Sequence, residues 1–98
     1  MKNTTEIIRD YSQGKTTLES ANAALKTAGA GFHLDPARNT ITPDEVGRFG
    51  LLDTGTGTLD KVEVKDGKLA NMDCGEMTAY CFVGGVCYKV KGRELVEE

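Results

Sequence analysis

Two short stretches near the end of the chain do most to limit what it can fold into. In "KVEVKDGKLAN", residues 61–71, Val62 and Val64 alternate with charged residues and Leu69 returns opposite Val64. Asp66-Gly67 between them is a pair that accepts the left-handed backbone of a two-residue hairpin turn. "MTAYCFVGGVCYKV", residues 77–90, repeats the design around Gly84-Gly85. A two-residue turn fixes register, so Val83 should face Val86, Cys81 should face Tyr88 and Ala79 should face Val90. "KGRELVE" then supplies a further turn and a short last strand.

The first thirty residues follow a different period. Asn3 stands three residues before Glu6, the spacing at which each side chain satisfies a free amide of a new helix. Ile7, Ile8 and Tyr11 form an apolar stripe, and Gly14 is a natural left-handed stop. "TTLE" repeats the signal with Thr16 as cap and Glu19 reaching back; Leu18, Ala21, Leu25 and Ala28 follow at helical spacing up to Gly29. Beyond "GAG", "FHL" and "TIT" read as short strands around the turn "DPARN", with Asn39 tolerating unusual backbone angles. "TPDE" reads as one helical turn with Pro43 at its first position. The fold expected is α+β: a single domain over 1–98, with an N-terminal helix pair (1–30) packed on one face of a mainly antiparallel β-meander (31–98).

Charge and composition narrow the function classes. A formal net charge of −3 and the lack of any run of four basic residues argue against nucleic acid as a partner. No stretch approaches the length of a membrane span, and "MKNTTEIIRD" lacks the apolar segment of a secretion signal, so no membrane role is expected and the cytoplasm is the expected compartment. Cys74, Cys81 and Cys87 are an odd number at spacings that match no zinc pattern, and the single histidine, His33, lies far upstream. No metal, cofactor or catalytic residue is assigned. His33 lacks an orienting neighbour in sequence, and the thiols read as small buried groups in strands.

"LLDTG", residues 51–55, resembles the catalytic loop of aspartic proteases, including the viral enzymes that build one site from two identical chains. That resemblance would make Asp53 catalytic, with Thr54 bracing the paired loops and "FVGG" as the supporting element. The context disagrees, because capped helices stand where barrel strands should precede the loop and too little chain separates Asp53 from "FVGG". A phosphotransfer loop is one residue out of register, and "QGKTT" lacks the earlier glycine of a phosphate cradle. "DTGTGT" is better read as a bulged strand or a loop crossing a sheet edge. Its alternative use is as a small-ligand loop carried by Asp53, Thr54, Thr56 and Thr58, in which backbone amides form an anion nest.

"EIIRDYSQGKTTLESANAALKTAGAG" resembles helical-hairpin modules of bacterial proteins, and the whole chain looks like small uncharacterised proteins of Gram-positive bacteria and their prophages or conjugative elements. The resemblance implies oligomerisation or docking. Two functions therefore stand: a non-enzymatic interaction module, such as a mobile-element accessory protein, or a ligand-binding or hydrolytic domain using the Asp53–Asp60 loop. For the first, the second hairpin offers a surface. Its Ala79, Cys81 and Val83 face should meet the helices, leaving Tyr80, Phe82, Lys89 and Lys91 to contact a protein partner or a second copy.

Overall fold

The computed structural model describes residues 3–35, 37–38 and 41–97. Helix α1, Thr4–Ser12, starts as its capping signal requires: Asn3 Oδ1 accepts from the Glu6 amide at 2.9 Å. It stops where Gly14 takes φ +73° and the Lys15 amide donates back to the Asp10 carbonyl. Helix α2, Leu18–Thr27, is capped by Thr17, whose hydroxyl accepts from the Ser20 amide, and not by Thr16. Two adjacent threonines are chemically equivalent caps, so spacing alone does not choose between them. Gly29 at φ +80° ends the helix, and the Ala30 amide closes on the Leu25 carbonyl.

The strands are β1 (His33–Leu34), β2 (Phe49–Asp53), β3 (Thr58–Lys65), β4 (Lys68–Leu69), β5 (Ala79–Val83), β6 (Val86–Lys91) and β7 (Glu94–Glu97), with one 3-10 turn at Pro43–Glu45. Their order is β1-β3-β2-β5-β6-β7-β4, and β4 pairs back onto β3. The sheet thus closes into a six-stranded antiparallel barrel, to which β1 adds in parallel on β3. This overturns the expected α+β helix pair on an open meander: the protein is mostly β, and its sheet is rolled. The reason lies in β3. Its eight residues pair with β2 along Leu59–Glu63, while Val64 and Lys65 pair with β4, whose Lys68 meets Glu94 of β7. A closing strand of two residues has no alternation to announce itself.

Both hairpins form in the expected register, with Val64 opposite Leu69 and with Val83, Cys81 and Ala79 opposite Val86, Tyr88 and Val90. The faces are the reverse of those expected. Ala79, Cys81 and Val90 look into the barrel with Leu52, Leu69 and Cys74, and Val62, Val64 and Leu95 pack beside them. Phe82 looks outward and is covered by the helices, joining Ile7, Ile8, Ala21, Leu25, Leu34, Ile41, Leu51 and Leu59 in a second core between α1, α2 and the wall. Width explains the reversal. The barrel is already filled by Leu52, Leu69 and Val90 and is tight at Cys81, where a methyl group on Gly50 would come within 2.5 Å of the sulfur. A phenyl ring belongs outside. "TIT" contributes the buried Ile41 without forming a strand there, while Thr40, Asn39 and Pro36 of that stretch lie outside the described residues.

Helix α2 also secures β1. The Asn22 side-chain amide donates to the Leu34 carbonyl at 3.0 Å and its oxygen accepts from the Leu34 amide at 2.7 Å. One helix side chain thereby makes both bonds that a neighbouring strand would make.

Candidate functional site

The register places three of the four surface residues on one stretch of outer wall. Asp53, Tyr80, Lys89 and Val96 follow one another across β2, β5, β6 and β7, and Lys91, Glu94 and Lys68 form the next row. Tyr80 is half-buried against the helix-covered core, Lys89, Lys91 and Glu94 are exposed, and Val96 keeps 43% of its surface in solvent. Phe82 does not belong to this surface. It is 7% exposed, with its ring 5.6 Å from that of Phe32. Sequence reasoning missed Val96 and Glu94, although the turn in "KGRE" that sets Lys91 opposite Glu94 would have located both.

The Thr/Gly loop, residues 54–57, joins β2 to β3. Asp53 Oδ1 accepts from the Gly55 amide at 2.8 Å, and Gly55 and Gly57 take φ +87° and +81°. The carboxylate that resembled the catalytic aspartate of a protease closes its own turn. Thr56 donates its hydroxyl to the Thr58 carbonyl, Thr54 and Thr58 are half-buried, and Asp60 is engaged separately by Arg38 at 3.2 Å. The loop does reach His33: the His33 amide donates to the Gly57 carbonyl at 3.0 Å. Both residues line an open groove with Lys26, Gly31, Phe32 and the Asn22 that holds Leu34.

A strongly perturbed carboxylate lies elsewhere. Glu45 accepts from the Thr42 amide at 2.9 Å and from Lys61 Nζ at 2.9 Å, and these two bonds hold its pKa down to about 2. Lys61 in turn sits 4.4 Å from the centre of the Phe49 ring, with the Arg48 guanidinium 4.8 Å from that centre. Since Glu45 and Lys61 are each about one-quarter exposed and each engaged, the cluster clamps the 3-10 turn to β2 and β3.

The buried thiols are poor nucleophiles. Burial in the barrel pushes Cys81 up to about 12, and burial followed by the Asp73 charge raises Cys74. Among the described residues no group of three or more His, Cys, Asp or Glu is gathered to hold a metal, and no helix is long and apolar enough to cross a membrane. The chain matches no family model, no curated protein and no solved structure.

Proposed function

We propose that the protein is a non-enzymatic interaction module that self-associates through the wall of β5, β6 and β7 left uncovered by the helices. The observation that carries this reading is the exposed Val96 set between Lys89 and the Lys91–Glu94 pair, next to the half-buried Tyr80. A two-fold copy needs a patch that complements itself. Here an apolar centre is flanked by both charge signs on adjacent strands, so rotation about Val96 brings the lysines of one copy toward Glu94 of the other. On this reading the protein works in the cytoplasm, where Cys74 and Cys81 stay reduced, and the resemblance to mobile-element proteins makes it an accessory factor of such an element.

Light scattering over a concentration series tests the proposal. The wild type should show a mass that rises toward a dimer, Val96→Asp should remain monomeric, and Lys89→Glu should weaken association. Combining Lys89→Glu with Glu94→Lys should restore part of it. A wild type that stays monomeric at millimolar concentration ends the proposal. A second reading, a small-ligand site, is favoured by one observation: Gly57, at the end of the Thr/Gly loop, and His33 line the same groove, while Asp53, Thr54, Thr56 and Thr58 are not among its lining residues.

A further inference from the structure

We infer that the groove between α2, β1 and the Thr/Gly loop binds a small planar organic anion, such as an aromatic carboxylate. The inference rests on the small-ligand reading and names the chemistry of its ligand. Lys26 lines the groove, and among the described residues no carboxylate does, although the chain carries 15 acidic residues against 12 basic ones. A site with one sign of charge inside a protein of the other sign selects its ligand by charge.

The apolar part of the ligand has its own partner. Phe32 lines the groove while its ring leans on buried Phe82 at an interplanar angle of 50°, so an aromatic surface is held in place before any ligand arrives. His33 lies beside it on β1 with its side chain exposed and its amide tied to Gly57. Space is also available. Added methyl groups would meet nothing within 4 Å at Gly31, and at Gly57 only the Gly31 carbonyl at 3.7 Å, so neither position fills the groove. The back of the site is rigid because both Asn22 bonds go to the Leu34 backbone. A flat ring against Phe32 with its carboxylate toward Lys26 satisfies both halves of the groove, and His33 supplies a further polar contact.

Amide chemical-shift titration of the intact protein with benzoate, benzamide and acetate tests this directly. Benzoate should shift the Gly31, Phe32, His33 and Gly57 amides together. Benzamide should bind at least about tenfold more weakly, because it lacks the charge, and acetate likewise, because it lacks the ring. Lys26→Gln, an exposed change that leaves the fold intact, should remove the preference for benzoate over benzamide. Equal binding of benzoate and benzamide by the wild type would overturn the anion assignment while leaving a ligand groove in place. No shift at these amides with any of the three compounds would remove both.

Discussion

The protein has two cores built on opposite economies of space. Inside the barrel, Gly50, Ala79, Cys74 and Cys81 keep side chains small around Leu52, Leu69 and Val90. Between the wall and the helices, most buried side chains are large: Ile7, Ile8, Leu25, Leu34, Ile41, Leu51, Leu59 and Phe82, with Ala21 the small exception. The interior is bounded by a closed hydrogen-bonded ring, so its failures are expected to come from excess volume. The outer core is bounded by two helices on short turns, so its failures come from missing volume. One hairpin, β5–β6, serves both, with Cys81 and Phe82 as adjacent residues on opposite sides.

The largest effect should come from emptying the outer core at the place where it touches the wall. Phe82→Ser removes a ring at 7% exposure and leaves a hydroxyl under the helices, a change expected to cost about 3–5 kcal/mol. Chemical denaturation should show it largely unfolded or close to it. A folded, stable Phe82→Ser would return this residue to the surface. Leu25→Ala, which truncates a fully buried side chain on α2, should cost about 2–4 kcal/mol by the same measurement. A loss below about 0.5 kcal/mol would make the helices peripheral.

Filling the barrel is the complementary test. Gly50→Ala should cost about 1–3 kcal/mol, since its methyl group would crowd the Cys81 sulfur and, at 3.3 Å, Val64 Cγ2. The double variant Gly50→Ala with Cys81→Ala should be more stable than the sum of the two single losses predicts. Strict additivity would show that the ring yields.

Smaller effects belong to the polar devices outside both cores. Glu45 has its folded pKa lowered from 4.5 to about 2. The folded form therefore binds fewer protons than the unfolded form between those values. Its contribution is whole above about pH 4.5 and is lost as pH falls toward 2. Melts of wild type and Glu45→Gln should differ near neutrality and converge across that window; a constant gap would mean that the Thr42 and Lys61 bonds do not set the shift. Asp53→Asn should be the mildest change, within about 0.5 kcal/mol, because an amide oxygen can accept from the Gly55 amide as well. Peptide cleavage by the wild type that Asp53→Asn abolishes would revive the protease reading.

These contrasts also show what was legible in the residues. Local signals were read well: Asn3 as a cap, Gly14 as a stop, Asp66-Gly67 and Gly84-Gly85 as turns with their cross-strand partners. What failed was the assignment of faces. Alternation says that Cys81 and Phe82 look opposite ways, but not which way is inward, and an open sheet and a closed barrel give opposite answers. Closure itself depends on Lys68 and Leu69, too few residues to carry a period. Tyr80, Lys89 and Lys91 do share a face as alternation predicts, and Phe82 lies on that same face but is covered by the helices. The groove was harder to read because Lys26, Phe32 and Gly57 come from three segments, joined by the Asn22 bonds to Leu34 and the His33 bond to Gly57, none of which has a sequence signal.

Those Asn22 bonds reach beyond the groove. A sheet that ends in a bare strand is a template on which another chain can add its own backbone, the route by which β proteins polymerise. At the outer side of β1 the Leu34 amide and carbonyl are already taken by a side chain anchored in α2. A helix residue stands where an eighth strand would begin, so growth of the sheet by strand addition is blocked there. A partner, including a second copy, therefore cannot extend the sheet through the Leu34 backbone, a contact that any extended peptide could otherwise make.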